Sequence, residues 1–407
     1  MNILIISCAY SSNQIELFRN NSIRGYQSAA QNFQLSLFEG FINTPNINLR
    51  ILSIPALSTF PKGCRLPLIK DSSFIYANTS LGKSFGYINL PIINHIYQLR
   101  IDKYIDDWYN NTTGEKYIIV YALLRQQMKY AVAAKKRHQD IKLGLIIPDL
   151  PEYMNCNRIY KILGLQRRDI KDIYSLIQSF DCYVVLAEPM VRRLNIIDKP
   201  YIVLEGIYNN SYNSATIKRE SLQKIILYTG GIQSRYGVFD LIEAFHRIQD
   251  HNYRLILCGP CLEIDKLKTY LKNDSRIEYQ GILPTRDIVK LQRNATLLVN
   301  PRHSTENFTN YSFPSKTLEY MASGTPVLMC PLASMPDEYK NYIYLFNDES
   351  INGMRNRIEE ICALPESELK ALGHKAREFI LNNKNPLIQV NKIISLISGT
   401  KNNRNNY

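Results

Sequence analysis

Leu227-Tyr-Thr-Gly-Gly-Ile-Gln-Ser-Arg-Tyr-Gly-Val-Phe-Asp-Leu-Ile-Glu-Ala-Phe245 reads as a strand ending in a glycine pair, a short polar loop, and an amphipathic helix opened by Gly237. Glycines let the backbone come close to a ligand, and the free amides at a helix start attract anions. Arg235 adds a fixed charge and paired donors suited to a diphosphate. Alone, the stretch fits an ordinary strand-to-helix turn with a solvated arginine equally well. Repetition of the unit decides the fold. Lys224–Gly230, Tyr253–Gly259, Arg276–Gly281, Thr296–Pro301 and Pro326–Cys330 are apolar runs, each followed by a helix-length segment.

The same alternation precedes it. Asn2–Ser7, Leu49–Pro55, Lys116–Ala122, Lys142–Pro148, Asp181–Ala187 and Tyr201–Glu205 read as strands, with helices such as Ser28–Phe41, Ile93–Asn110 and Leu123–Gln139 between them. Strands alternating with helices predict parallel sheets covered on both faces. A chain of 407 residues has material for two domains of roughly 200 residues each. Periodicity fails between Gly206 and Leu222, which predicts a first domain over 1–206, a linker over 207–222 and a second domain over 223–385. The segment 386–407 is expected to form a helix crossing back to the first domain, followed by a polar tail. Two doubly wound Rossmann-like domains of this kind are expected to face a central ligand cleft at the carboxyl ends of their strands.

A second stretch adds chemistry: Asn300-Pro-Arg-His-Ser-Thr-Glu-Asn-Phe-Thr-Asn-Tyr-Ser-Phe-Pro-Ser-Lys-Thr-Leu-Glu-Tyr-Met-Ala-Ser-Gly-Thr-Pro-Val-Leu-Met329. A helix is expected to start near Ser312–Pro314, where a hydroxyl cap and a first-turn proline both fit, and to stop at Gly324. Its first amides with Lys316 form another anion-binding end. Glu319, about two turns in, can accept hydrogen bonds from a vicinal diol such as a ribose.

The pieces Tyr-Thr-Gly-Gly…Arg-Tyr-Gly, Leu-Cys-Gly-Pro, Tyr-Gln-Gly-Ile, Asn-Pro-Arg and above all Phe-Pro-Ser-Lys-Thr-Leu-Glu-Tyr-Met-Ala-Ser-Gly-Thr-Pro-Val resemble the nucleotide-sugar domain of retaining GT-B glycosyltransferases of the family-four type, in their capsule and polysaccharide branch. The resemblance spans residues 224–400, and Leu-Ala-Glu-Pro-Met, Glu205-Gly206 and Pro148-Asp-Leu-Pro-Glu-Tyr153 extend it more loosely into the first half. It implies an α/β GT-B fold and metal-independent, retaining hexosyl transfer from a nucleoside diphosphate sugar, with no further cofactor. It also implies that Glu319 holds the donor ribose, that Arg235 and Lys316 neutralise the diphosphate, and that the backbone around Gly281 and Ile282 meets the base. Gly230, Gly231, Phe313, Pro314 and Ser315 complete the expected donor site. Three positions depart from the pattern. Tyr311 stands where a first glutamate belongs (Glu306 is the nearest substitute), Gly231 replaces an arginine, and no histidine follows Lys116–Ala122.

Lys and Arg number 49 against 36 Asp and Glu, giving +13; residues 1–200 hold 24 basic and 15 acidic side chains, the remainder 25 and 21. Such a surplus asks for an anionic partner. No recognition-helix, aromatic-basic or zinc-finger pattern points to nucleic acid. The helix Leu123–Gln139 with Arg125, Lys129, Lys135, Lys136, Arg137 and His138, and the cluster Arg158, Lys161, Arg167, Arg168 and Lys171, suit a membrane surface or a pyrophosphate-linked acceptor, and equally suit solvated helix faces. The expected partners are therefore a nucleotide-sugar donor and a saccharide or polyprenyl-linked acceptor, with peripheral contact at the inner face of the plasma membrane. No apolar run reaches the length of a membrane span and no signal-peptide pattern opens the chain, so a cytoplasmic location is expected. Asp149, ending a strand, is the candidate for the acceptor hydroxyl, with His95 and His138 weaker choices. The cysteines in strand-like runs (Cys8, Cys182, Cys258, Cys330) read as buried thiols. Cys258-Gly-Pro-Cys261 spells a redox dithiol, but no tryptophan precedes it and its flanks continue the sheet alternation. A silent sugar-nucleotide binder acting as an assembly subunit and a GT-B epimerase remain the other readings of the same residues.

Overall fold

The computed structural model describes residues 1–23, 28–77, 79–90, 98–153, 165–209 and 223–399. Two compact units appear: Met1–Leu204 joined by the chain from Pro386 onward, and Glu205–Asn385. The first holds β1 (Asn2–Ser7), β2 (Asn48–Ser53), β3 (Leu68–Ile69), β4 (Ser72–Tyr76), β5 (Thr79–Ser84), β6 (Tyr87–Ile88), β7 (Lys116–Tyr121), β8 (Lys142–Ile147), β9 (Cys182–Val185) and β10 (Tyr201–Val203). Its main sheet runs β10-β9-β8-β7-β1-β2-β5-β4, parallel except for β4 against β5, and β3 pairs with β6 as a separate antiparallel ribbon. β1 and β7 are buried at every residue because helices cover both faces, which is why their sequences are unbroken apolar runs.

The second unit holds β11 (Lys224–Thr229), β12 (Tyr253–Cys258), β13 (Ile277–Gly281), β14 (Leu297–Asn300), β15 (Val327–Met329) and β16 (Tyr344–Leu345), in the all-parallel order β13-β12-β11-β14-β15-β16. Around it pack Val238–His246 against Ile351–Cys362, and Lys316–Ser323 against Glu366–Asn383. The last described helix, Pro386–Ser398, packs on Ser28–Ile42 of the first unit.

The sequence places the first boundary after Gly206, whereas the chain divides after Leu204. The reason is Glu205, whose buried carboxylate accepts hydrogen bonds from Tyr339 and Lys384 of the second unit. Most of the linker, 210–222, lies outside the described residues, as do the tail 400–407, His95, Arg158 and Lys161. Three of the cations that make the helix Arg125–Arg137 basic are engaged within the first unit. Arg125 pairs with Asp169 and Asp172, Lys135 with Asp181, and Arg137 with Asp102 and Asp106. Among the described residues, no helix is long and apolar enough to cross a membrane.

Candidate functional site

In a doubly wound sheet, ligands bind where neighbouring central strands send their chains off in opposite directions, at the carboxyl ends. In the second unit this point lies between β11 and β14. Every donor-side residue expected from the sequence lies at the carboxyl end of a strand or on the loop or helix after it: Gly230, Gly231 and Arg235 after β11, Gly281 and Ile282 at the end of β13, and Phe313 to Glu319 after β14.

Lys316 is the centre of the arrangement. Its helix begins at Lys316 itself, not near Ser312–Pro314, because Pro314 and Ser315 supply the first accepting carbonyls, to Thr317 and Leu318. Glu319 therefore sits in the first turn instead of two turns in. The Lys316 ammonium donates to the Tyr228 hydroxyl at 3.0 Å and rides 4.3 Å above that ring. The Tyr228 hydroxyl in turn donates to the Gly231 carbonyl at 2.9 Å. Gly230 is required on two counts: its φ is 142°, and a Cβ there would lie 2.1 Å from the lysine Nζ. No carboxylate among the described residues forms a salt bridge with this ammonium. Burial, with the positive charge of Arg302 added, pushes its pKa down to about 7, and the Glu319 carboxylate offsets only part of that.

Arg302 is a candidate site residue that the sequence reading missed. It was legible only as part of Asn-Pro-Arg, and its relevance depends on β14 lying beside β11, which appears only once the strand order is known. Its guanidinium lies 5.0 Å from the Tyr236 ring and 5.2 Å from the Phe308 ring, and Arg235 approaches the same two rings at 5.0 and 4.7 Å. The rings meet edge-on at 6.2 Å. Arg302 Nε is buried without a hydrogen-bond partner among the described residues, and burial, with the Arg235 charge adding to it, lowers the pKa of the guanidinium. Arg235, Arg302 and Lys316 thus gather positive charge at the switch point. Replacing Arg302 with glutamine should remove a charge-assisted contact worth about 1.5–3 kcal/mol and weaken nucleoside diphosphate binding roughly 10–100-fold in calorimetry. Unchanged affinity would reduce Arg302 to a cation packed on two rings.

Gly237 closes the arginine loop with φ 68°, and a Cβ there would collide with the Pro301 carbonyl at 2.0 Å. Glu319 is open to solvent and takes no hydrogen bond among the described residues. The protein crowding it raises its carboxyl pKa, with Lys316 pulling the other way. Ile282 is 76% exposed beside Gly281, an apolar face free to be covered. Phe313 corrects the expectation: it is buried with its ring 5.0 Å from that of Tyr339, so its side chain belongs to the core. Pro314 is buried and Ser315 exposed. Glu306 is exposed ahead of the turn Asn307–Asn310, which Tyr311 closes.

Asp149 lies in the first unit, two residues past β8. Its side chain reaches solvent, and the surrounding protein pushes its carboxyl up to about 6. The loop after β1 is not an anion nest. Gln34 accepts from the Cys8 amide at 3.0 Å and Gln31 from the Tyr10 amide at 2.8 Å, so two amides that would face a phosphate are already taken. The dithiol reading fails on chemistry. Cys258 and Cys261 are free, and burial pushes Cys258 up to about 11, the reverse of a reactive thiolate.

Residues 213–379 match the family described as "Glycosyl transferases group 1". No curated protein sequence matches the chain. Among solved structures, HepE of Anabaena in complex with UDP superposes with a TM-score of 0.64 at 13% identity, covering 98% of this chain and 100% of that one. Sucrose-phosphate synthase from Thermosynechococcus elongatus gives 0.63 at 14% identity, with 98% of each chain covered. The lipopolysaccharide outer core galactosyltransferase WaaB gives 0.62 at 14% identity, covering 98% of this chain and 100% of that one. The chain has the GT-B fold, and residues 213–379 of its second unit are similar to the group 1 glycosyl transferases.

Proposed function

We propose that the protein transfers a hexose from a nucleoside diphosphate sugar to a saccharide or lipid-linked saccharide in cell-surface polysaccharide biosynthesis, with retention of anomeric configuration. The observation carrying this reading is a half-buried lysine that forms no salt bridge among the described residues, beside two arginines, at the switch point of the second unit. A diphosphate supplies the missing counter-charge. As the sugar–phosphate bond breaks, negative charge grows on the departing diphosphate, and fixed cations in a shielded crevice stabilise that charge without reorganising. Lys316, Arg235 and Arg302 do at the diphosphate what a metal ion does in other transferases. Glu319 accepts the ribose hydroxyls, the Gly281–Ile282 edge covers the base, and Asp149 is our candidate for the acceptor hydroxyl. UDP and UDP-glucose are bound in HepE, which supports a donor of this class. Peripheral contact with an anionic membrane belongs to the same reading, carried by first-unit cations in no salt bridge among the described residues, such as Lys136.

A thermal-shift panel of UDP, GDP, ADP and CMP and their sugars tests the donor class. A ligand at a hundred times its dissociation constant stabilises the folded state by about 2.7 kcal/mol, so one base should stand out. Affinity for the selected diphosphate should also depend on pH in a defined sense. Free Lys316 loses its proton near pH 7, whereas the bound diphosphate holds that proton on. Above about pH 7 each binding event must therefore take up a proton, and affinity should fall about tenfold per pH unit until the raised pKa of the complex is reached. Lys316→Met should flatten that slope. No stabilisation by any nucleotide would sink the proposal. Donor consumption without an acceptor would favour an epimerase, and binding without turnover a silent assembly subunit.

A further inference from the structure

Three loops after β14, β15 and β16 bring His303, Cys330 and Glu349 together, with one ligand atom from each lying within 4.8 Å of the others. The geometry around the imidazole has a direction. His303 Nε2 is 2.7 Å from Asp240 Oδ2, and Nδ1 is 3.1 Å from Glu349 Oε2. A carboxylate on one ring nitrogen fixes the tautomer and aims the other nitrogen's lone pair, the arrangement that orients metal-ligating histidines. Cys330 is wholly buried and its thiol faces the same Glu349 carboxylate. In its neutral form the thiol donates to that carboxylate, and an ionised thiol there is unfavourable without a cation between them. The Ser304 amide donates to Glu349 Oε2 at 3.0 Å and holds that carboxylate in place. Part of the His303 and Glu349 side chains, 22% and 19%, remains accessible, which leaves an entry path.

We infer that His303 Nδ1, Cys330 Sγ and a Glu349 oxygen form a site for a zinc-class transition metal ion, with Asp240 as the positioning partner of the histidine. One nitrogen, one thiolate and one carboxylate oxygen form a mixed donor set that suits Zn²⁺ in tetrahedral coordination, with water in the fourth position, and does not suit Mg²⁺ or Ca²⁺. In the metal-free protein a proton sits between His303 and Glu349 and another on Cys330. Binding of M²⁺ releases the thiol proton and, where the imidazole is charged, that of Nδ1. The site lies one residue from Arg302, and Gly237 packs against both Pro301 and His303. A bound ion would therefore pin the loop that carries Arg302. This inference does not rest on sugar transfer.

Full-length protein freed of metal with a chelator is titrated with Co²⁺, then Zn²⁺, without nucleotide. One Co²⁺ per chain should bind with a near-ultraviolet thiolate-to-cobalt band and the strong visible bands of a tetrahedral ion, and Zn²⁺ should displace it. Cys330→Ser should abolish the thiolate band, Cys261→Ser should keep it, His303→Gln should lower affinity at least tenfold, and Asp240→Asn should lower it about 10–100-fold. Absence of the band in the unmodified protein, or its survival in Cys330→Ser, overturns the site. If Cys330→Ser does not fold by circular dichroism, His303→Gln and Asp240→Asn decide: unchanged Co²⁺ affinity in both overturns it as well.

Discussion

Replacing Lys316 with methionine is expected to abolish sugar transfer while leaving the melting temperature of the free protein unchanged or raised. The two effects share one cause. Lys316 holds a half-buried ammonium whose described partners are a tyrosine hydroxyl, the tyrosine ring and the bare Cα of Gly230. Desolvation and the Arg302 charge push its pKa down to about 7, so the fold disfavours its charged form. A methionine of similar length removes that unfavourable burial and keeps the packing. In the reaction the same charge faces the departing diphosphate. Loss of one preorganised group of this kind typically costs about 10²–10³ in kcat, or roughly 2.7–4 kcal/mol. A stable, inactive variant would mark Lys316 as a residue kept for function at the expense of stability. Glu319→Ala should also abolish transfer in a folded protein. Scanning calorimetry beside a radiolabelled-donor assay separates the outcomes. Full activity in Lys316→Met would remove the lysine from the site, and a large fall in melting temperature would recast it as structural.

What could be read in advance follows from which signals are local. Unbroken apolar runs such as Asn2–Ser7 and Lys224–Thr229 announce strands buried on both faces, and these elements stand within a residue or two of their expected ends. The antiparallel pair Ser72–Tyr76 and Thr79–Ser84 escaped notice because exposed Ser73, Thr79 and Ser80 at the sheet's edge interrupt its apolar residues. Within the site, Lys316, Glu319 and Gly230 are legible because their chemistry depends on a strand end or helix start visible in a dozen residues. Arg302 is not, since its role exists only because β14 is the neighbour of β11. Gln31 and Gln34 escaped likewise: nothing local reveals that two helix glutamines occupy the amides after β1. Phe313 was assigned outward because it adjoins Pro314 and Lys316, while contact with Tyr339, distant in sequence, turns it inward.

The second large effect concerns the clasp at the points where the chain passes between its two units. Lys384 is 2% exposed, and its ammonium lies 2.5 Å from Glu205 and 2.6 Å from Glu338, while Tyr339 donates to the same Glu205 oxygen at 2.5 Å. Glu205 opens the second unit and Lys384 lies one residue from its end, so the clasp ties the outgoing and returning chains together. Burial opposes the lysine charge, but the two glutamates outweigh it and the net shift is upward. A lysine with a raised folded pKa contributes its stability fully below the unfolded value near 10.5 and loses it only as pH climbs through the folded value, so the clasp is intact at neutral pH. Lys384→Ala leaves Glu205 buried and uncompensated, which costs about 3–5 kcal/mol; for a unit of this size that lowers its melting by on the order of 10 °C. Exchanging both groups, as in Lys384→Met with Glu205→Gln, removes the stranded charge and should recover most of the loss, because Glu338 has solvent to turn to. Coupling between the two positions in a double-mutant cycle should therefore be large. Additive losses would mean that the two side chains act separately and that the clasp is a coincidence of packing.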